Sequence, residues 1–291
     1  MRLALSAILV LVLSLLAKLV VYPASADLDL ILGQHETARV LLLTAHPDDE
    51  CLFFAPTVSS LLAQPPIPQA SGRSIELYSL CLSTGDADGL GDVRKGELAA
   101  SLDVLGIPEG RRWLIDHPDL PDNITLSWDA DIIADTVRPY VLANNITVIL
   151  TFDHAGISSH PNHASLPVGA ARLVSALPPS PPPPRLFSLI TVPLAQKYTS
   201  ALSAALAKTD LALAGALRRH GLDTRRMPVC VSGVSGYRTA LRAMAQHRSQ
   251  LVWFRWLYVA FSRYMWVNEW MEILPPVHAA TSDDPKPRAA V

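Results

Sequence analysis

Charge is scarce in this chain of 291 residues: Asp, Glu, Lys and Arg make up 17% of it, against about a quarter in ordinary soluble domains. Half of the residues are hydrophobic and the mean hydropathy is +0.26, which excludes a disordered solvating tail and a salt-laced coiled coil. Neither sign of charge dominates. With a formal net charge of −2 there is no basic footprint for DNA or RNA, and nucleic acid is not an expected partner. Cysteine is sparse as well. Cys51, Cys81 and Cys230 lie far apart with no C-x-x-C pair, which argues against a disulfide scaffold and a cysteine zinc site and leans towards a reducing compartment.

One hydrophobic run is long. From Leu3 to Tyr22 the chain reads LALSAILVLVLSLLAKLVVY, with Lys18 its only charge, and twenty helical residues span about 30 Å, the thickness of a bilayer's hydrocarbon layer. The same stretch also fits a cleaved signal peptide, with Arg2 as its basic start and Ala24-Ser25-Ala26 as a small-residue cleavage site. On the residues alone both readings stand.

Beyond Asp27 the pattern becomes globular. Short apolar runs at Arg39–Thr44, Ile75–Leu82, Arg112–Ile115, Ile146–Phe152, Leu186–Val192 and Val229–Ser232 predict strands. Between them, Glu50–Ala63 (kinked or divided at Pro56), Asp92–Leu105 (stopped by Gly106), Asp129–Leu142 and Pro161–Leu177 (with a break near Pro167) predict helices. Strands alternating with helices imply a mainly parallel sheet covered on both faces. The proline clusters Pro65–Pro68 and Pro178–Pro184 read as exposed connectors, and residues 275–291 as a disordered tail.

Two motifs carry chemistry. Ala45-His46-Pro47-Asp48-Asp49-Glu50 begins where the first buried strand ends, and ligand sites of open parallel sheets form at the carboxyl ends of strands. An imidazole and carboxylates there suit Zn²⁺ or another divalent ion, although an acidic helix start would look the same. The second motif, Asp153-His154 followed by His160-Pro161-Asn162-His163, follows the most apolar strand. Two histidine-bearing strand ends supply three protein ligands and leave one position open, the pattern of a catalytic metal. The stretch from Trp253 to Trp270 holds four of the six tryptophans, mixed with Arg255 and Arg263. It fits a helix lying at a membrane surface or one docked on the sheet.

The motifs AHPDDE, LSTGDADGLG, R-K-G-E-L and HPNH resemble those of the N-acetylglucosaminyl-phosphatidylinositol de-N-acetylase family. The run from Tyr237 to Gln250, with Trp253-Phe-Arg-Trp256 and Phe261-Ser-Arg-Tyr-Met265, is similar to its eukaryotic branch. The resemblance implies an α/β, Rossmann-like, mainly parallel sheet with helices on both faces. A lipid substrate favours keeping the hydrophobic run as one N-terminal transmembrane helix ahead of that domain. The implied divisions are a membrane anchor at 1–26, a deacetylase domain at 38–274 and the tail.

The resemblance further implies that His46, Asp49 and His163 hold Zn²⁺, that Asp48 is the general base and that His160 stabilises or protonates the tetrahedral intermediate. Arg94 resembles a contact to substrate phosphate or sugar. Glu97 would orient Arg94 or cap its helix, Asp86 and Asp88 would rim the pocket, and Asp153 would stand behind a metal-binding histidine. Asn162 stands where many members of the wider superfamily carry Asp. The substrate would be N-acetylglucosaminyl-phosphatidylinositol in a lipid bilayer. The expected location is the endoplasmic reticulum membrane, with the catalytic domain on the cytosolic side. A secreted deacetylase of another GlcNAc conjugate, or a non-catalytic lipid-binding subunit, are the rival expectations.

Overall fold

The computed structural model describes residues 6, 14, 17–63 and 74–274. The Pro65–Pro68 connector and the tail from 275 lie outside the described residues, as does most of the run expected to span a membrane. Eight strands form one sheet: β1 (Ala24–Ala26), β2 (Thr37–Thr44), β3 (Ser74–Cys81), β4 (Arg112–Leu114), β5 (Val148–Phe152), β6 (Arg185–Leu189), β7 (Val229–Val231) and β8 (Val267–Ile273), in the order β1-β7-β8-β6-β5-β2-β3-β4. From β4 to β6 the pairing is parallel; β8, β7 and β1 add on antiparallel.

The central strands bury both faces. Val40, Leu41, Leu43, Val148 and Ile149 are wholly buried, each contributing about 1.5–3 kcal/mol by leaving water, which is why these runs show no alternation of polar and apolar residues. Chain direction around the sheet reverses between β2 and β5: β2 hands on to β3 on one side, and β5 to β6 on the other. Both chemical motifs follow these two strands, so the fold brings them to one crevice.

Helices cover the sheet as expected, with instructive differences in detail. The stretch predicted at Glu50–Ala63 is divided into α1 (Asp49–Leu52) and α2 (Ala55–Leu62), with Pro56 in the first turn of α2, where its missing N–H costs nothing. Next come α3 (Gly91–Leu105), closed by Gly106 at φ 86°, and α4 (Ala130–Ala143), whose first amides are capped by Asp129. In α5 (Pro161–Ala176), Pro167 sits inside a continuous helix rather than breaking it. Then follow α6 (Ser200–Arg219), α7 (Val234–Met244) and α8 (Trp253–Phe261). The aromatic stretch is therefore not one helix. Trp253 and Trp256 ride on α8 and are 75% and 50% exposed, whereas Trp266 and Trp270 are buried, the latter in β8.

The N-terminal expectation is corrected. Among the described residues no helix is long and apolar enough to cross a membrane, so the fold does not show the spanning helix read from hydropathy. Residues 17–21 are helical, but the chain then turns onto the domain. Lys208 of α6 donates to the carbonyls of Leu19 and Tyr22. Gly233 leaves so little room beneath residues 21–23 that a Cβ there would meet the Val21 carbonyl. Ala24–Ala26, read as a cleavage site, instead pairs with Val229–Val231 as the edge strand of the sheet. Arg226 anchors the following turn through Asp27 and Asp29. Hydropathy reports local composition and is blind to such partners.

Candidate active site

The loop after β2 is closed by its own carboxylate. Asp49 Oδ2 accepts the amides of Ala45 and His46, each at 2.9 Å, and Asp49 Oδ1 lies 3.2 Å from His163 Nε2. Between them Asp48 is held at φ 115°, outside the comfortable region for a residue with a side chain, at a cost of about 1–3 kcal/mol. A buried strut holds it there. The Asp48 amide donates to Glu50 Oε2, while Glu50 Oε1 takes Ser101 Oγ and, at 2.7 Å, His247 Nε2. His247, for which sequence offered no role, thus braces the strained turn from α7's end. Burial alone pushes the Glu50 carboxyl up, but the contact with His247 holds it below the usual carboxylate range. Glu50, Cys51 and His247 lie close enough to suggest a second metal group. In the structure the Glu50 carboxylate is engaged by the Asp48 amide, Ser101 and His247, and burial pushes the Cys51 thiol well up, so the cluster serves as a brace as it stands.

Tautomers at the motif after β5 follow from its partners. Asn162 Oδ1 accepts the Asn123 amide and its Nδ2 donates to the Leu126 carbonyl, which fixes the side-chain amide. Oδ1 therefore also accepts from His46 Nε2 at 3.0 Å, with Asp122 Oδ1 a further acceptor at 3.2 Å. The proton of His46 sits on Nε2 and the lone pair on Nδ1. His163 is the mirror case: Nδ1 donates to the Gly156 carbonyl at 3.2 Å, leaving the lone pair on Nε2, and its ring stacks on Phe152 with centroids 4.2 Å apart. His46 Nδ1 and His163 Nε2 face each other at 3.2 Å.

Two lone pairs cannot bond to each other. With the Asp49 carboxylate beside them they call for one positive charge, which a proton on His163 Nε2 or a metal ion would supply, and two atoms sharing a Zn²⁺ at about 2.0–2.1 Å stand roughly 3.3 Å apart. The residues present therefore fit a zinc-sized ion held by His46, Asp49 and His163. His160 brings a third ring within 4.8 Å of the other two. Its Nδ1 accepts the Asn162 amide, so its Nε2 carries the proton towards the cavity.

The electrostatics divide the acids by task. Burial pushes the Asp48 carboxyl up to about 6, against the pull of Arg255. Burial would raise Asp49 too, but His163 and His46 hold it well below the usual range. Burial lowers His46 to about 4 and also lowers His160, which keeps both rings neutral. His163 is raised despite burial, because Asp49 lies against it.

These groups form the floor of a cavity of about 730 Å³, whose opposite wall is α8 with Phe254, Leu257, Tyr258 and Phe261. Arg94 is buried in the wall rather than displayed. It donates to the carbonyls of Pro47 and Gly85 and to Asp122, clamping the metal loop. Among the described residues no hydrogen bond or ion pair joins Glu97 to Arg94; Glu97 accepts the amide and hydroxyl of Ser249, tying down the segment before α8. Asp88 lines the cavity, whereas Asp86 caps the Gly91 amide away from it. Among the described residues no hydrogen bond joining Asp153 to a histidine is seen. It accepts from Ala155, Gly156 and Thr191 and so shapes the loop whose Gly156 carbonyl orients His163.

Sequence reasoning missed Asp122 and Arg255. Asp122 contacts His46 and Arg94 from a loop after β4, a third strand end that offered no motif. Arg255, inside the quoted WFRW, lies 3.2 Å from Asp48 Oδ2. Gly156 is a third omission. At φ 58° a Cβ would stand 2.9 Å from His163 Cβ and 3.0 Å from the Ala164 amide. Gly156→Ala is expected to push His163 off its position and weaken metal binding about 10–100-fold, measurable by competition with a chelating dye; unchanged affinity would show that the loop yields.

A family model described as GlcNAc-PI de-N-acetylase matches residues 41–174. Among relatives, the N-acetylglucosaminyl-phosphatidylinositol de-N-acetylase of Bos taurus is 39% identical over 231 residues, 79% of this chain and 82% of that protein. The probable enzyme of the same name from Schizosaccharomyces pombe is 34% identical, covering 80% and 87%. The solved N,N'-diacetylchitobiose deacetylase from Pyrococcus horikoshii shares the fold at a TM-score of 0.52 and 15% identity, covering 84% of this chain and 87% of its own. With relatives at 39% and 34% identity matched over more than four fifths of their own length, the chain belongs to the N-acetylglucosaminyl-phosphatidylinositol de-N-acetylase family.

Proposed function

We propose that this protein hydrolyses the N-acetyl group of N-acetylglucosaminyl-phosphatidylinositol, releasing acetate and glucosaminyl-phosphatidylinositol in the synthesis of glycolipid anchors. The relatives' named substrate supports the choice of lipid. The observation that carries the chemistry is the set of three ligand atoms, on His46, Asp49 and His163, converging beside the buried carboxylate of Asp48, whose Oδ2 is met by Arg255 at 3.2 Å.

Zn²⁺ is the proposed ion; at such a site it polarises an acetamide carbonyl and acidifies water. The chain's own residues do the rest. Asp48, its carboxyl raised by burial and its backbone braced by Glu50, takes a proton from the attacking water as the new C–O bond forms, and returns it to the amine nitrogen as the C–N bond breaks. His160 presents Nε2–H to the charge that develops on the acetamide oxygen, an interaction that strengthens only after attack. Asp122 and Asn162 keep the proton of His46 on Nε2 and its Nδ1 free. The exposed aromatic face of α8 at the cavity's rim supports presentation of the substrate from a bilayer, and an endoplasmic reticulum membrane location is part of the proposal.

Acetate release from the substrate in phosphatidylcholine vesicles, beside a soluble GlcNAc conjugate, tests this. Turnover of the vesicle-borne lipid that stops on chelation and returns with Zn²⁺ is expected. Chelator-insensitive turnover, or turnover of the soluble conjugate alone, would contradict it.

A further inference from the structure

Three cationic side chains line the cavity: Arg94, Lys197 and Arg255. Arg94 is committed. Its terminal nitrogens are spent on Pro47, Gly85 and Asp122, and its guanidinium packs so closely over Gly85 that a Cβ there would stand 2.4 Å from Arg94 Cζ. Lys197 donates to the Ile157 carbonyl at 2.6 Å and has donors left over. Arg255 has one charged partner, Asp48 Oδ2 at 3.2 Å, and no hydrogen bond from its guanidinium to any other group is seen among the described residues. Its side chain is 29% exposed.

Position adds to this. Arg255 belongs to α8, whose Phe254, Leu257 and Phe261 form the apolar wall, yet it reaches the acidic floor of Asp48, Asp49 and Asp122. Along the cavity the chemistry therefore runs from the candidate metal-binding residues, through a guanidinium whose one charged partner is Asp48, to an apolar stripe. A glycosyl-phosphatidylinositol runs in the same order: acetamido sugar and inositol, then one phosphodiester anion, then acyl chains. A planar fork of donors suits a phosphodiester.

The geometry points to Arg255 as the residue that reads the substrate's phosphodiester, in exchange for its ion pair with Asp48. An anionic substrate arriving at α8 draws the guanidinium off the carboxylate, so binding of the correct lipid and release of the base are one event. A sugar without the phosphate leaves Arg255 on Asp48. This assignment rests on the deacetylase reading of the site.

The test compares kcat and KM for GlcNAc-phosphatidylinositol and for phosphate-free GlcNAc-inositol, using metal-loaded full-length wild type, Arg255→Gln and Arg255→Lys. A charge-assisted contact is worth about a tenfold or greater preference. Wild type is expected to favour the phosphodiester by at least that factor, Arg255→Gln to erase the preference through a higher KM for the lipid together with a higher kcat on GlcNAc-inositol, for which the base is no longer masked, and Arg255→Lys to keep part of it. A preference that survives in Arg255→Gln, or is absent from wild type, overturns the assignment while leaving the deacetylase reading intact; no acetate from either substrate sinks both. Should Arg255→Gln fail to fold, inhibition of wild type on GlcNAc-inositol decides: competitive inhibition by glycerophosphoinositol supports the assignment, and none at about a hundred times the substrate KM overturns it.

Discussion

Alanine at His163 is expected to abolish acetate release and metal retention together. The substitution removes the lone pair on Nε2 that faces His46 Nδ1 at 3.2 Å, and takes with it the ring stacked on Phe152. Losing the ion forfeits several kcal/mol of charge stabilisation, a fall of about 10³-fold or more in kcat. Metal content of the purified protein, measured beside turnover, checks the coupling. A variant that holds one equivalent of metal, or keeps wild-type turnover, would remove His163 from the ligand set. His163 also sits in the core, so circular dichroism of the variant must show the native fold for the result to count.

Asn at Asp48 should separate what alanine at His163 joins. The substitution preserves shape and leaves the three converging ligand atoms in place, but the side chain can no longer accept a proton. We expect the metal to stay and kcat to fall about 10²–10⁴-fold, the usual contribution of a positioned base. The pH profile gives a second readout. A base works deprotonated, so activity is lost as pH falls through its pKa. Burial places the Asp48 carboxyl at about 6, and a cation beside it draws that value down. The acid limb of kcat/KM in wild type should therefore lie at or below about pH 6, and should vanish in Asp48→Asn. Persistence of the same limb in the variant would assign it to another group, and near-wild-type turnover would remove Asp48 as the base.

Much of this site was legible in sequence because it is local. AHPDDE directly follows a buried strand and HPNH begins eight residues past the end of another, and a run such as Val148–Phe152, buried throughout, announces itself without any partner being known. Turn chemistry was equally local, as Pro56 and Gly106 show. What sequence did not disclose depends on distant pairings. Ala24–Ala26 is a strand only because Val229–Val231 lies beside it, and Val267–Ile273 joins the sheet although its aromatics suit a helix equally well. Asp122 and Arg255 reach the cavity from loops and helices with no spacing that ties them to the metal motifs. Asn162 carries a different lesson. Judged only as a missing ligand it looked inert, but its amide is fixed by two backbone groups and in turn fixes the tautomer of His46. Glu97, read as orienting Arg94 or capping its helix, braces Ser249, and His247, for which sequence offered no role, braces Glu50.

The hydrolytic account depends on one ion shared by the loops after β2 and β5. Anomalous diffraction from crystals of the zinc-loaded protein, collected on either side of the zinc edge, measures that directly. The account predicts a single strong peak within bonding distance of His46 Nδ1, an Asp49 carboxylate oxygen and His163 Nε2, with Asp48 beside it but not bound. A peak between Glu50, Cys51 and His247, or none between the two histidines at full zinc occupancy, would contradict it.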